Sequence, residues 1–301
     1  MLKQRIITAT LLATLVVLAV FELSSMYFSL LIAAITLLGA NEWLNLTNVR
    51  SPLKRAFFFA SLIGAMVFIH SWTYLLEASA HLLDFLAEKY KFQMDDIRNQ
   101  SGLLEWLALP AVFFWIMTMM VIRNSPEGAL TLDLSPFKQG LIGWFVLLMS
   151  WMFLSRLRTF FGEEMTMYFL VLIWVADIAA FFVGKKWGTI KLSPEISPGK
   201  TVQGMYGALG SAVVCAAAIS LIMGFKEPMI IADFALLSVL TVLMSIYGDL
   251  FFSVVKRRAN AKDSGSLLPG HGGILDRIDS LCAGAPLFYA GIYLESVGLF
   301  S

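Results

Sequence analysis

One stretch of the sequence decides the fold: residues 229–254, which read MIIADFALLSVLTVLMSIYGDLFFSV. The run is almost wholly apolar, and as a helix it is long enough to cross roughly 30 Å of hydrocarbon. A membrane-spanning β-strand would instead need alternating apolar and polar residues, which this run does not have. The stretch therefore predicts a transmembrane α-helix.

Apolar runs of similar length recur along the whole chain. Of its 301 residues, 58 % are hydrophobic and 14 % are charged, whereas a soluble domain carries about 25 % charged residues. The sequence therefore predicts an all-α, polytopic integral membrane protein with about nine transmembrane helices. The predicted spans are residues 6–22, 26–44, 56–76, 103–122, 140–155, 166–183, 205–225, 229–254 and 281–299.

The basic residues predict the orientation of these helices. With the N-terminus in the cytoplasm, most Lys and Arg residues fall on cytoplasmic segments, as the positive-inside rule requires. The polar loop that follows residue 254 is then cytoplasmic, and the C-terminus is outside. Arg156 and Arg158 are exceptions, because they fall on a short outer loop with Glu163 and Glu164.

The chain divides by polarity near residue 165. In the first part, residues 1–165, polar residues lie mainly at the ends of the helices, and we expect about five spans there that serve as a scaffold and in dimerisation. The second part, residues 166–301, carries polar groups within or just beneath its helices. That placement predicts a catalytic transmembrane region with cytoplasmic loops.

Two acids indicate where the site lies. Asp177 falls within the sixth predicted span, and Asp249 falls near the cytoplasmic end of the eighth. An acid at membrane depth costs about 2.5–3.5 kcal/mol on insertion scales, so it usually faces a polar cavity. Asp249, Ser253 and Lys256 are spaced i, i+4 and i+7 and share one helical face. We expect a site between the sixth, eighth and ninth helices; the alternative is that Asp249 and Lys256 face interfacial water.

The polar loop after the eighth span collects groups that suit a phosphorylated ligand and a metal ion. The cations that can neutralise phosphates are Lys256, Arg257, Arg258, Lys262 and Arg277. The carboxylates that can hold a divalent cation are Asp263, Asp276 and Asp279. The glycines that allow the backbone to approach a ligand closely are Gly270, Gly272 and Gly273. Mg²⁺ takes oxygen ligands and usually retains substrate phosphates in its shell.

Some of these features also have purely structural interpretations. Asp276 and Asp279 lie at i and i+3 of a predicted helix start, where acids favour the positive end of the helix dipole. His271 is either a donor or proton shuttle for a phosphate, or an ordinary hydrogen-bonding residue of the loop.

An earlier polar loop, residues 184–204, contains Gly199-Lys200-Thr201, which is similar to the end of a P-loop. That motif needs a glycine where position 194 is Pro, and it needs a preceding strand, which an all-helical protein lacks. We therefore exclude a P-loop. A phosphate-binding role for Lys191, Lys200 and Thr201 is expected instead, with an ordinary positive-inside loop as the alternative.

One pattern unites the second loop: Ser253-x₂-Lys256-Arg257-x₄-Lys262-Asp263-x-Gly265-x₂-Leu268-Pro269-x-His271-Gly272-Gly273-x₂-Asp276-Arg277-Ile278-Asp279. It resembles the signature of the phosphatidate cytidylyltransferases, also called CDP-diacylglycerol synthases. Further matches are Trp174-x₂-Asp177, Gly184-Lys185 with Gly188, Ser197-Pro198-Gly199-Lys200-Thr201 and Gly248-Asp249. The resemblance is strong from about residue 165 to 285 and only topological before that.

The resemblance implies a Mg²⁺-dependent nucleotidyltransferase of phospholipid biosynthesis, with the identity of any second cation left open. Such an enzyme transfers CMP from CTP to phosphatidate and gives CDP-diacylglycerol and pyrophosphate. We expect it in the bacterial-type inner (cytoplasmic) membrane with its active site facing the cytoplasm. The expected partners are CTP, phosphatidate, membrane lipids and a second copy in a homodimer, without nucleic acid.

The resemblance also implies a role for each site residue. Asp249, Asp276 and Asp279 would be catalytic and hold the metal, and Lys256 would be catalytic beside them. The expected substrate-binding residues are Asp177, Lys191, Lys200, Thr201, Ser253, Arg257, Lys262, Asp263, His271, Gly272, Gly273 and Arg277. Because the lipid phosphate is already an anionic nucleophile, no strong general base is required. Catalysis would rest on positioning and on charge neutralisation.

Other functions stay open at this point. A phosphatidyltransferase that uses CDP-lipid would carry an Asp-Gly-x₂-Ala-Arg string, which is absent. A CTP-dependent lipid-alcohol kinase would transfer the γ-phosphate, and a related enzyme would use a different lipid phosphate as acceptor. A transporter is the least favoured alternative, because the sequence shows neither an inverted repeat nor a pair of interrupted spans.

Overall fold

Helices make up most of the protein. The computed structural model describes residues 2–90, 96–224, 227–267 and 272–296. Within these ranges the α-helices are α1 (Leu2–Glu22), α2 (Ser25–Leu46), α3 (Pro52–His70), α4 (Trp72–Tyr90), α5 (Ala108–Asn124), α6 (Pro126–Thr131), α7 (Pro136–Trp187), α8 (Val202–Met223), α9 (Pro228–Arg258) and α10 (Leu275–Ser296). A 3₁₀-helix covers Ile97–Leu107, and two short strands are β1 (Lys191–Ser193) and β2 (Ser197–Thr201). The prediction of a helical protein is confirmed.

Several helices have the length and composition of membrane spans. Six described segments are long and apolar enough to cross a membrane: Ser25–Leu46, Pro52–His70, Gln100–Asn124, Pro136–Trp187, Val202–Met223 and Pro228–Arg258. In α1 the apolar part is shorter and covers Thr10–Glu22. These lengths fit an integral membrane protein, and the count of nine spans stays a prediction.

The seventh helix is much longer than one membrane crossing. Its 52 residues would extend about 78 Å as a straight helix, more than twice the hydrocarbon thickness. Gly162 interrupts it with φ 82° and ψ −176°, a conformation that glycine adopts without the strain that a Cβ would bring. The interruption falls between the predicted spans 140–155 and 166–183, so α7 contains both of them.

Two local expectations differ from the structure. The span predicted at 56–76 ends at His70, and α4 begins at Trp72. The loop between the sixth and seventh spans was expected to lack strands, whereas β1 and β2 form an antiparallel pair there. Strands this short leave no alternation that could be recognised in the sequence. A strand therefore does precede α8, and the P-loop stays excluded because of Pro194.

One of the two basic residues that depart from the positive-inside rule is buried at a helix end. Arg158 donates hydrogen bonds to the carbonyl oxygens of Val20 (3.0 Å) and Leu23 (3.1 Å). It also forms an ion pair with Glu163 at 3.1 Å. The guanidinium thus satisfies backbone acceptors at the C-terminal end of α1, where a cation also complements the helix dipole.

The other exception, Arg156, is paired inside the protein. It forms an ion pair with Glu105, which also accepts a hydrogen bond from the hydroxyl of Tyr289. Glu105 is 5 % exposed. The three side chains connect the 3₁₀-helix, α7 and α10, so both arginines have structural partners that account for their position.

Close packing of α9 against α10 brings polar residues of the two helices together. Gly248 permits this contact, because a Cβ there would lie 2.7 Å from the Cβ of Ala283 and 2.8 Å from the carbonyl oxygen of Asp279. Aromatic side chains fill the core on the far side of α10, where the rings of Phe169 and Phe288 lie 5.2 Å apart. The second half of α7 thereby packs with α9 and α10 around one polar region.

Candidate active site

Side chains from four separate elements meet in this polar region. Lys200 of β2 forms an ion pair with Asp249 of α9, with Nζ 2.6 Å from Oδ2. The same ammonium group donates to the carbonyl oxygen of Ile246 at 3.4 Å. Asp177 of α7 lies close enough to this pair, and to Arg277 of α10, to interact with their charges. Residues of α7, α9 and α10 therefore lie together, and β2 contributes a cation to them.

Asp249 has a partner on each of its carboxylate oxygens. Its Oδ1 accepts a hydrogen bond from the hydroxyl of Ser253 at 3.3 Å. Its side chain is 30 % exposed and that of Lys200 is 26 % exposed, so both are open to solvent. Asp279 of α10 is 9 % exposed and lies close enough to Asp249 to be repelled by its charge.

A second ion pair joins the end of α9 to the start of α10. Lys256 Nζ lies 2.6 Å from Asp276 Oδ1, and the side chains are 12 % and 7 % exposed. The other oxygen of Asp276 accepts backbone N–H hydrogen bonds from Ser264 at 2.8 Å and Gly273 at 3.0 Å. Burial alone would raise the pKa of Asp276, but Lys256 and the two N–H donors hold that pKa below its ordinary value.

Several predicted substrate-binding residues make structural contacts or face the surface. Thr201 is the N-cap of α8, and its hydroxyl accepts from the N–H of Gly204 at 3.1 Å. Arg257 donates to the carbonyl oxygens of Ile196 (3.3 Å) and Ala261 (3.4 Å). The predicted substrate-binding residues that are exposed are Asp177, Lys191, Arg257, Lys262, Asp263 and Arg277. Apart from Arg257, these residues make no described side-chain hydrogen bond.

The signature glycines lie close to Asp276. Gly272 has a φ of 81°, and a Cβ there would lie 2.6 Å from Oδ2 of Asp276. Both observations explain why glycine is needed at this position. The prediction for His271 falls outside the described residues, as does that for Gly270.

The predicted metal ligands point in two directions. Among the His, Cys, Asp and Glu side chains that the structure describes, no group of three is placed to hold a metal ion. Asp276 faces Lys256 and the loop, whereas Asp279, one turn later, lies near Asp249. Two carboxylates with substrate phosphates are a common ligand set for Mg²⁺, and the Asp249–Asp279 pair fits that set.

Nearly the whole chain matches the model of one protein family. The model of the cytidylyltransferase family matches residues 3–295. The chain belongs to this family.

Curated relatives of this cytidylyltransferase are similar over nearly its whole length. A phosphatidate cytidylyltransferase of Haemophilus influenzae is 34 % identical over 300 residues, which cover 96 % of this chain and 97 % of that protein. One of Pseudomonas aeruginosa is 33 % identical over 300 residues, with 99 % of each chain covered. One of Bacillus subtilis is 31 % identical over 298 residues, with 96 % of each covered.

One residue outside the predicted site contacts the signature loop, which is the segment 259–274 between α9 and α10. Glu42 of α2 is 6 % exposed, and its carboxylate accepts hydrogen bonds from Ser264 Oγ (2.7 Å), Ile274 N (2.8 Å) and Leu275 N (2.9 Å). Sequence reasoning assigned the first 165 residues to a scaffold and passed over this acid. The available signal was the position of this acid inside the predicted span 26–44. The same kind of position, inside the predicted span 166–183, singled out Asp177.

A cavity lies apart from this polar region. Its volume is about 760 Å³, and it is lined on α9 by Phe251, Val255 and Arg258 among others. These residues lie on the face of α9 opposite to Asp249 and Lys256. None of the predicted site residues lines the cavity, and the candidate site stays the polar region around the two ion pairs.

Proposed function

We propose that the protein is a phosphatidate cytidylyltransferase that makes CDP-diacylglycerol. A phosphate oxygen of phosphatidate attacks the α-phosphorus of CTP, the bond between the α-phosphorus and its bridging oxygen to the β-phosphorus breaks, and pyrophosphate leaves. The Lys200–Asp249 pair, in the setting of near-full-length similarity to phosphatidate cytidylyltransferases, is the observation that supports this function most.

The lysines are suited to the charge that this reaction brings together. CTP and phosphatidate are both polyanions, so their approach needs cations close to the reacting phosphates. Lys200 and Lys256 are each held in place by a carboxylate at 2.6 Å. In the proposal, the carboxylates hold both ammonium groups close to the positions from which they contact the substrate phosphates. The ammonium groups turn to these phosphates when the substrates bind. Ser253, Arg257, Arg277 and the remaining substrate-binding residues predicted above border this region.

The donor set supports Mg²⁺ as the cofactor. Asp249 and Asp279 supply carboxylate oxygens that a hard cation prefers, and CTP phosphates would complete its shell. Asp276 could contact the ion only through an oxygen that already accepts a hydrogen bond, since both of its oxygens do so. When bound, such an ion supplies charge neutralisation at the phosphoryl oxygens.

The membrane setting extends the proposal. The described apolar helices support an integral membrane protein, and we infer nine spans with the N-terminus and the active site on the cytoplasmic side of an inner membrane. A site at the inner leaflet would receive a lipid headgroup and a soluble nucleotide together. A homodimer is part of the same proposal, with residues 1–165 as scaffold and residues 166–301 as the catalytic region.

Product labelling tests the proposed function. Purified protein in detergent is incubated with phosphatidate, Mg²⁺ and CTP that is labelled either at the α- or at the γ-phosphate. The proposal expects label in the lipid from α-labelled CTP and none from γ-labelled CTP. Label from the γ-position on a lipid alcohol would instead show a kinase. Turnover with another lipid phosphate but not with phosphatidate would show a different acceptor.

A further inference from the structure

The carboxylate of Glu42 occupies the N-terminal end of α10. The first N–H groups of a helix have no partner within it, and here Ile274 and Leu275 donate to Glu42 at 2.8 and 2.9 Å. A negative charge at this end is also favoured by the helix dipole. A residue of α2 therefore acts as the cap of a helix that begins 233 positions later in the chain.

The same carboxylate also accepts a hydrogen bond from the part of the signature loop that follows α9. Ser264 donates its hydroxyl to Glu42 at 2.7 Å and its backbone N–H to Asp276 at 2.8 Å. Ser264 therefore links the two acids through one residue. Since Asp276 also pairs with Lys256, Glu42 is connected to the candidate active site by an unbroken series of hydrogen bonds.

Two signature glycines fit around Glu42. A Cβ on Gly265 would lie 2.7 Å from Glu42 Oε1, and a Cβ on Gly273 would overlap Glu42 Oε2. Approach of the backbone to a ligand was the expected reason for Gly273. Close contact with a buried carboxylate is a second and sufficient reason for glycine at both positions.

From these contacts, and on the basis of the proposed function, we propose that Glu42 is a positioning residue: it fixes the signature loop so that Lys256 and Asp276 are held for cytidylyl transfer. Glu42 touches neither of these side chains itself. It acts through Ser264 and through the first turn of α10. The helices before residue 165 thereby contribute directly to the geometry of the site, beyond serving as a scaffold.

The decisive variant is Glu42→Gln, which keeps the size of the side chain. The two carboxylate oxygens accept three hydrogen bonds, whereas an amide has one oxygen and presents an NH₂ group toward one of the donors. Loss of such an outer partner typically costs about 10–100-fold in activity or metal affinity. We expect kcat to fall and the Mg²⁺ concentration for half-maximal activity to rise about tenfold or more.

Glu105→Gln is the matched control. Glu105 is also a buried carboxylate with two partners, Arg156 and Tyr289, and Tyr289 lies 13 residues along α10 from Asp276, or about 20 Å. This substitution should lower the melting temperature. In the protein that stays folded, the dependence of activity on Mg²⁺ and CTP concentration should be unchanged. Ser264→Ala is a second test variant, expected to act in the same direction as Glu42→Gln but less strongly.

Hydrogen exchange gives a readout that needs no catalysis. In Glu42→Gln, backbone amides of residues 264–267 and 272–276 should exchange faster than in the wild type, and they should not do so in Glu105→Gln. Unchanged exchange in these segments, or activity lost only in proportion to folded protein with unaltered Mg²⁺ and CTP dependence, would overturn the inference. If the wild type transfers no cytidylyl group, the proposed function fails, while faster exchange in these segments would still support the positioning role.

Discussion

The Lys256–Asp276 pair should make a measurable contribution to folding. In Asp276→Asn, Lys256 keeps its charge at 12 % exposure but loses the carboxylate that lies 2.6 Å away. Removing one partner of a buried pair costs about 3–5 kcal/mol, because the remaining charge stays without a counter-charge. The amide oxygen can still accept from the N–H groups of Ser264 and Gly273, so we expect the lower end, about 3 kcal/mol.

Thermal unfolding in detergent measures this cost. At about 2 °C per kcal/mol for a chain of this size, the melting temperature should fall by about 6 °C. The double variant Lys256→Met with Asp276→Asn removes both charges, so its loss should be at least about 1 kcal/mol smaller than the sum of the single losses.

Arg258→Met is the control for this cycle, because no described residue forms an ion pair with Arg258. Its melting temperature should stay within about 1 °C of the wild type. The reasoning is refuted if the single losses are additive, or if Asp276→Asn melts like the control.

Three further outcomes are expected. Lys200→Met should lower kcat/KM for CTP by about 10²–10³-fold, since a fixed charge at the phosphates is lost; steady-state kinetics that change less than about twofold would contradict this. Gly248→Ala should destabilise the protein by about 1–3 kcal/mol in thermal unfolding, because the new Cβ would lie 2.7 Å from Ala283, and an unchanged melting temperature would show that α9 and α10 can separate freely. The pKa of Asp276 is lowered in the folded protein, so its stabilising contribution is present above about pH 4 and is lost as the pH falls through that lowered pKa; the acid limb of the melting curve against pH should therefore be flatter in Asp276→Asn.

Continuous apolar runs predicted most of the helical fold. A run of about 20 apolar residues has few alternatives to a spanning helix, and α8 and α9 follow the predicted segments closely. The strands β1 and β2 were missed because a pair of such short strands leaves no periodic pattern. The helical spacing of Asp249, Ser253 and Lys256 predicted one shared face, and the structure includes the hydrogen bond between Ser253 and Asp249.

Contacts between distant parts of the chain could not be predicted from spacing. Lys200 was assigned to phosphates, and its ion pair with Asp249 depends on how the hairpin packs beside α9. Asp276 and Asp279 were grouped by their i, i+3 spacing, yet Asp276 pairs with Lys256 near the C-terminal end of α9, while Asp279 lies near Asp249, about two turns earlier in the same helix. Glu42 was passed over because its partners lie more than 220 residues away.

A single-turnover assay on Asp249→Asn tests the central claim most directly. Folded wild-type protein and folded variant are mixed with phosphatidate, Mg²⁺ and α-labelled CTP, and the lipid product is followed over time. If Asp249 and Lys200 lie at the reacting phosphates, the wild type should form labelled CDP-diacylglycerol and the variant should form it at least about a hundredfold more slowly. Equal rates for the two proteins would contradict the location of the active site.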